Sequence, residues 1–156
     1  MIPDQFQQAL GYSKRSKATN CESNKEEVAR SKRFLAEVDQ KNIQLTVSDL
    51  KASYHVVDGV QGKDFGCKHY KTNCKFLAEC CRKWFPCRFC HNESTDHEVD
   101  RYLTRYCLCM HCGTSQLASQ TCINPDCAEP LANYYCDHCK SWDNDSQKKI
   151  FHCDQC

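Results

Sequence analysis

The 156-residue sequence has few of the residues that build an ordinary hydrophobic core. Leucine, isoleucine, valine and phenylalanine together number 27, or 17% of the chain, which is low for a globular domain. A fraction this low is typical of disordered chains, but those also carry a large net charge, and here the formal net charge is only +1. The sequence therefore predicts a folded protein held together by disulfides or metal ions rather than by hydrophobic burial.

The sequence also lacks long apolar runs. No stretch approaches the roughly 18 consecutive apolar residues of a membrane span. The first residues, from Met1 to Phe6, show neither the basic start nor the apolar segment of a secretory signal. We therefore expect no membrane partner and a location in the cytoplasm, the nucleus or both, where thiols stay reduced and clustered cysteines bind zinc.

Cysteine is abundant, and its distribution is uneven. Of the 16 cysteines, only Cys21 precedes residue 67, and the other fifteen are interleaved with six of the seven histidines. Histidine is a frequent zinc ligand, whereas a disulfide framework does not require it, so the pattern favours zinc. The composition changes at residues 59–66, where three glycines predict a turn-rich hinge.

Four segments are predicted. Residues 1–22 form a flexible polar arm, and residues 23–60 form a helical N-terminal segment with a helix over 23–42 and a second, shorter piece capped by Thr46 or Ser48. Residues 61–133 and 134–156 carry the cysteine clusters and short strand-like pieces, of which Tyr134–Cys136 is one. The predicted fold class is a small, metal-stabilised, irregular α+β array of zinc fingers, with short hairpins and loops after the helical segment.

The first cluster offers nine donors within 31 residues, enough for two tetrahedral zinc ions with one donor left over. Because neighbouring side chains of an extended chain point to opposite faces, we expect adjacent ligands to serve different ions and Cys67 to share an ion with His69. This geometry predicts two interleaved sites and leaves their partition open. The candidates are Cys67, His69, Cys74, Cys80, Cys81, Cys87, Cys90, His91 and His97.

The second cluster pairs two cysteine turns that can close a four-thiolate zinc site. Gly113 directly follows the first turn and supplies the permissive φ that such a turn needs. Cys107 is expected to be a buried spare thiol, and His111 a surface group. The predicted ligands are Cys109, Cys112, Cys122 and Cys127.

The third cluster is predicted to hold one zinc on Cys136, Cys139, His152 and Cys156, with Cys153 as a ligand whose partners lie beyond residue 156. Its spacing formally matches a DNA-reading finger. Such a finger needs a small apolar core, however, and this segment has Asp143 and Lys149 at the core positions and a turn at residues 143–146. Residues 67–156 carry 11 basic and 11 acidic side chains. They lack the excess of basic residues that is typical of nucleic-acid binders, so a nucleic-acid partner is not expected.

The motifs resemble a known family. Cys67-x-His69-Tyr70, Cys80-Cys81, Cys87-x-x-Cys90-His91, His97 and Cys109-x-x-Cys112 are similar to a CHY-type zinc finger. Tyr134-Tyr135-Cys136-x-x-Cys139 with His152-Cys153 is similar to the opening of a CTCHY-type finger, which follows the CHY finger in a family of RING ubiquitin ligases. The resemblance implies three zinc ions in the CHY part and at least one more in the CTCHY part. Two of the three would lie on the first cluster, with Cys74 as the spare, and the third on Cys109, Cys112, Cys122 and Cys127.

The functional hypothesis is a zinc-folded protein-interaction module, the substrate-recognition part of a RING-type E3 ubiquitin ligase. The expected partner is a protein substrate or adaptor, whereas a ubiquitin-conjugating enzyme would bind only through a RING, whose ligand series is absent from this sequence. No nucleophile with a base and an orienting group is recognisable, so no catalytic residue is predicted. The alternatives are a cytosolic protein that handles zinc or thiols, either as a metal buffer or in redox chemistry, and a nucleic-acid-binding zinc finger.

Overall fold

The computed structural model describes residues 43–154. The predicted arm, the predicted helix over 23–42 and the predicted ligand Cys156 lie outside these residues. Among the described residues, no helix has the length and apolar character needed to cross a bilayer.

A short helix and a hairpin precede the cysteine clusters. Helix α1 spans Val47–Leu50, and Thr46 caps it: its backbone N–H donates to the Asp49 carboxylate, while its hydroxyl accepts from the Asp49 N–H. This reciprocal capping box satisfies two backbone donors and confirms the predicted cap. Strands β1 (Tyr54–Val57) and β2 (Val60–Phe65) then form an antiparallel hairpin.

This hairpin corrects two sequence-based expectations. Residues 43–60 contain one four-residue helix and then a strand, so this part of the predicted helical segment is wrong. The predicted hinge at residues 59–66 is instead the turn and second strand of the hairpin, with Gly59 in the left-handed region at φ 79°. Glycine makes a tight turn possible, but it does not distinguish the turn of a hairpin from a hinge between domains.

The central sheet has four antiparallel strands in the order β4-β3-β5-β6. Strand β3 (Cys74–Ala78) is buried along its whole length and pairs with β4 (Lys83–Phe85) and β5 (Tyr106–Cys109). Strand β6 (Ser115–Leu117) pairs with the far edge of β5. Helix α2 (Arg88–Ser94) and a 3₁₀ turn (Arg101–Leu103) connect β4 to β5.

A second small hairpin completes the fold. Strands β7 (Tyr134–Cys136) and β8 (Ser141–Asp143) pair with each other, and β7 is the strand that the sequence predicted at Tyr134–Cys136. Trp142 belongs to the same buried cluster as Phe76, Cys107 and Leu131, and its Nε1–H donates to the Ser119 carbonyl at 2.8 Å. The hairpin therefore shares the core of the central sheet.

The core is small and rich in sulfur. Its buried members include Cys74, Cys107, Cys109 and Cys122 beside only a few aliphatic and aromatic side chains. The predicted metal-stabilised, irregular α+β fold with short antiparallel strands is confirmed by this arrangement and by the four groups of cysteine and histidine around it.

Candidate metal centres

Cysteine and histidine side chains converge at four places in the described chain, and within each group the potential ligand atoms lie within 4.8 Å of one another. The cysteines of these groups are thiols rather than disulfides. In order along the chain, we call the groups the first to fourth centres. They are Cys67, His69, Cys87 and Cys90; Cys80, Cys81, His91 and His97; Cys109, Cys112, Cys122 and Cys127; and Cys136, Cys139 and His152.

The spacing of the donors fits zinc. Bond lengths of about 2.3 Å to sulfur and about 2.0–2.1 Å to nitrogen, in a tetrahedron, place nitrogen and sulfur ligands about 3.6 Å apart and two sulfurs about 3.8 Å apart. In the first centre, His69 Nδ1 lies 3.4 Å from Cys87 Sγ, 3.6 Å from Cys90 Sγ and 3.9 Å from Cys67 Sγ. These separations suit the edges of a zinc tetrahedron.

Helix α2 supplies ligands to both the first and the second centre. Cys87 caps the helix, and its Sγ accepts from the Cys90 N–H at 3.4 Å, so these two ligands, three residues apart, face the same side. His91, the next residue, projects to the second centre, where its Nε2 lies 3.2 Å from Cys80 Sγ. The first two centres are therefore interleaved, as the sequence reasoning proposed, and Cys90 and His91 serve different centres.

Cys80 and Cys81 differ from the sequence-based expectation, because the structure brings both to the second centre. Residues 79–82 form the turn between β3 and β4, where the Arg82 N–H donates to the Ala78 carbonyl and Arg82 has φ 56°. The alternation of side chains between two faces holds for an extended strand. In this tight turn, neighbouring side chains converge instead.

The third centre is built from two loops. Cys109 ends β5 and Cys112 lies in the turn before β6, where Gly113 adopts φ 75° and donates its N–H to the Cys109 carbonyl. The predicted role of this glycine is therefore confirmed. The second loop brings Cys122 Sγ within 3.6 Å of Cys112 Sγ and Cys127 Sγ within 3.9 Å of Cys109 Sγ.

The fourth centre contains three donors in the described chain. Cys136 and Cys139 Sγ each lie 3.3 Å from His152 Nδ1. Cys153 was predicted to bind with partners beyond residue 156, and it is exposed and not a member of this group. Cys156, the predicted fourth donor, lies outside the described residues. Residues 144–151 form no helix. Asp143 ends β8, and the turn lies at residues 146–147, slightly later than the predicted residues 143–146.

The electrostatics of the first and third centres favour a cation. In the first centre, hydrogen bonds with the Cys87 and Cys90 thiols lower the pKa of Cys67 to about 2, and the same cluster raises the pKa of Cys87 to about 11. In the third centre, burial raises the pKa of Cys112, but hydrogen bonds with Thr114 and neighbouring thiols outweigh it and lower the value to about 6. Each of these centres thus stabilises one thiolate among protonated thiols, and zinc would displace the remaining protons.

Three polar side chains orient the histidine ligands, and sequence reasoning did not single them out. His69 Nε2–H donates to Glu93 Oε1 at 3.1 Å, His91 Nδ1–H to Asn92 Oδ1 at 2.9 Å, and His97 Nδ1–H to Asp96 Oδ1 at 2.8 Å. A hydrogen bond of this kind fixes the tautomer that presents the other ring nitrogen to the metal. The position of all three acceptors within the polar run at residues 92–96, between two histidine ligands, was the available signal.

Two predicted spare thiols and one predicted surface group lie where the sequence suggested. Cys74 is 2% exposed, Cys107 is fully buried, and neither belongs to a centre. His111 is exposed, but its ring also packs edge-on against Phe65 at 4.9 Å between centroids. Because Phe65 ends β2, this contact joins the first hairpin to the third centre.

Comparison with known proteins finds a matching family model and several similar proteins. The sequence profile of the CHY zinc finger matches residues 67–134. An uncharacterized RING finger protein of Schizosaccharomyces pombe is 40% identical over 113 residues, covering 72% of this chain and 25% of that protein.

Two plant proteins are similar as well. The E3 ubiquitin-protein ligase SRFP1 of Oryza sativa is 44% identical over 94 residues, covering 59% of this chain and 35% of that protein. The zinc finger protein BRUTUS of Arabidopsis thaliana is 43% identical over 93 residues, covering 59% of this chain and 7% of that protein. The chain thus spans between about a fourteenth and a third of these relatives. The donors of the first three centres all fall within residues 67–134, the part of the chain that matches the CHY zinc finger.

Proposed function

We propose that this chain is the substrate-recognition part of a RING-type E3 ubiquitin ligase. The main support is the match of residues 67–134 to the CHY zinc finger, together with relatives that are named E3 ubiquitin-protein ligases. In such a protein the zinc ions act structurally: they hold loops and hairpins in a fixed shape that a protein substrate or adaptor can recognise. Ubiquitin transfer would belong to a RING elsewhere in the ligase.

The closed form of the first three centres supports a structural role for the metal. Each offers four cysteine or histidine donors, and four protein ligands leave no open position for a reacting molecule. The mixed cysteine and histidine donor sets of these centres also support a cytoplasmic or nuclear location, where thiols stay reduced and clustered cysteines bind zinc. A CTCHY-type finger beginning near residue 134 forms part of the same proposal, with Cys153 and Cys156 among its ligands.

A chimera tests the proposed function. The 156-residue chain, fused to the RING domain of an unrelated ligase and expressed in cells, should cause zinc-dependent ubiquitination of a defined set of proteins, measured by ubiquitin-remnant mass spectrometry. The control is the same chimera carrying Cys87→Ser and Cys90→Ser, which removes two ligands of the first centre. An identical set of ubiquitinated proteins in both chimeras would refute substrate recognition by the zinc-folded array.

The metal-buffering alternative makes an opposite prediction in the test tube. A buffer gives up its zinc to a weak chelator within the mixing time, whereas a structural centre releases it only as the fold opens. Zinc transfer to a chromogenic chelator, followed together with circular dichroism, separates the two. Rapid transfer without loss of secondary structure would favour buffering.

A further inference from the structure

A cleft lies between the central sheet and the last hairpin. Its walls are aromatic, from Tyr70, Phe76 and Trp142, and three cationic side chains, Arg88, Arg101 and Lys140, also line it. Cys87 of the first centre reaches the same cleft. These residues come from the central sheet, α2, the 3₁₀ turn and the last hairpin. The cleft therefore forms only when residues 67–134 and the last hairpin are folded together.

Two of the cationic side chains have no carboxylate of their own. Among residues 43–154 there are four arginines. Arg82 and Arg105 pair with Glu79 at 2.8 and 3.2 Å, whereas Arg88 and Arg101 form no ion pair in this part of the chain. Lys140 is neutralised in part by Asp137 at 2.6 Å. The unpaired positive charge of the described arginines is therefore concentrated at this cleft.

Neighbouring aromatic rings hold the two arginines in place. The Arg88 guanidinium carbon lies 4.5 Å from the centroid of the Phe89 ring, and that of Arg101 lies 5.0 Å from the Tyr102 ring. The Arg101 guanidinium also donates to the Tyr102 hydroxyl at 3.1 Å. The other N–H groups of the two guanidinium planes can donate to a carboxylate, which can accept two hydrogen bonds from one arginine. Arginine next to aromatic walls is the composition enriched at the centres of protein interfaces.

We propose that this cleft binds an acidic peptide segment, with carboxylate side chains on Arg88 and Arg101 and an apolar side chain against the aromatic walls. Charge complementarity selects this occupant. A nucleic acid is a less suitable occupant, because residues 67–156 carry equal numbers of basic and acidic side chains. Binding to a phosphate backbone depends on an excess of basic side chains. The inference rests on the proposed function, since it names the chemistry of the segment that the recognition part would read.

The test uses the zinc-loaded 156-residue chain and two fluorescein-labelled decapeptides. One alternates glutamate with leucine and phenylalanine, and the other has glutamine in place of every glutamate. We expect fluorescence anisotropy to show binding of the first peptide only. The double variant Arg88→Glu, Arg101→Glu should weaken that binding by about tenfold or more, as expected for reversal of charges at a central pair. Glutamate at position 88, the first residue of α2, also suits the helix N-terminus, so the fold should survive.

A matched variant controls for overall charge. Lys63→Glu, Lys83→Glu makes the same change in net charge on exposed strand positions away from the cleft, and we expect its affinity to stay within about twofold of the original, a change well under 1 kcal/mol. Native mass spectrometry confirms that both variants retain their zinc.

Three results would overturn the inference. They are equal loss of binding in both double variants, no binding of the acidic peptide up to about 1 mM, and tighter binding of a single-stranded oligonucleotide that the cleft variant abolishes. The first two leave zinc-dependent ubiquitination by the chimera intact, so failure of the cleft is distinguishable from failure of the proposed function.

Discussion

At the scale of single residues, the histidine ligands depend on partners that never touch the metal. Glu93 accepts from His69 Nε2 and also pairs with Lys68 at 2.9 Å, so it links the first centre to the surface. Removing such a partner typically lowers metal affinity 10- to 100-fold. Because Glu93 is half exposed, water can replace part of its role.

We therefore expect Glu93→Ala to lower the zinc affinity of the first centre by about tenfold, the lower end of that range. Competition with a chelator, read by native mass spectrometry, measures the change. Glu98→Ala is the control, since Glu98 is an exposed carboxylate five residues away that holds no ligand. Equal affinities in the two variants would show that Glu93 does not orient His69.

The spare thiols should be inert. Burial raises the pKa of Cys107 to about 12 and raises that of Cys74 as well, and the thiolate is the reactive form. We expect iodoacetamide at pH 8 to leave both unmodified in the zinc-loaded protein and to modify them only after unfolding, as read by peptide mass spectrometry. Early modification of Cys107 would contradict its burial in the core.

At the scale of elements, one glycine fixes the conformation of the loop that carries two ligands of the first centre. Gly66 has φ 145°, and a Cβ there would lie 2.2 Å from the Tyr70 carbonyl oxygen. The close approach is part of a backbone link in which Cys67 N–H donates to that same oxygen at 2.9 Å. Any side chain at position 66 must therefore displace the loop that carries Cys67 and His69.

We expect Gly66→Ala to destabilise the zinc-loaded fold by about 2–4 kcal/mol, because it combines a strained φ with a backbone clash. Thermal unfolding followed by circular dichroism measures the effect. Gly62→Ala is the comparison, since Gly62 lies in β2 without a positive φ, and its nearest contact would be 3.2 Å. Similar melting temperatures for the two variants would argue against the close approach at Gly66.

A buried lysine attaches the N-terminal end of the described chain to the sheet. Lys75 of β3 is 7% exposed, and its ammonium donates to the Asp49 and Lys51 carbonyls at 2.8 and 2.7 Å. Burial lowers its pKa, which is the cost of holding this charge away from water. The two hydrogen bonds satisfy the end of α1.

We expect Lys75→Met to release residues 46–51, with a loss of about 1–3 kcal/mol, the usual cost of removing charge-assisted hydrogen bonds. Hydrogen exchange at these amides should accelerate, while exchange in β5 stays unchanged. Lys83→Met, at an exposed position of β4, serves as the control. Unchanged exchange at residues 46–51 in the Lys75 variant would contradict the anchoring role.

The sequence allowed us to predict features that depend on residue type and local spacing. It did not allow us to predict features that depend on how distant parts of the chain come together. The Thr46 cap, the β7 strand, the Gly113 turn and the interleaving of the first two centres all follow from residue type and spacing. The joint use of Cys80 and Cys81 does not, because it depends on the left-handed Arg82 in the turn. The packing of Phe65 on His111 and the burial of Lys75 depend on contacts 24 or more residues apart, which periodicity cannot reveal.

At the scale of the whole molecule, potential metal ligands form part of the hydrophobic core. The buried cluster contains ligands of the third centre, Cys109 and Cys122, next to Leu131 and Trp142. Structural zinc contributes about 10–16 kcal/mol per site in peptides, whereas this chain has few aliphatic side chains to replace that contribution.

We accordingly expect an excess of a strong chelator to remove both the zinc and the tertiary structure of residues 43–154, seen as collapse of amide dispersion in NMR spectra. Returning zinc under reducing conditions should restore the dispersion. A chain that keeps its dispersion after complete zinc removal would show that apolar burial alone holds the fold.

Helix α2 also couples zinc binding at the first centre to zinc binding at the second. Cys90 and His91 are consecutive, yet each belongs to a different group of potential ligands. An ion bound by either group would order the seven-residue helix, so that binding of the second ion would cost less conformational entropy. Substoichiometric zinc should therefore divide the population into empty molecules and molecules carrying both ions, with singly occupied ones scarce.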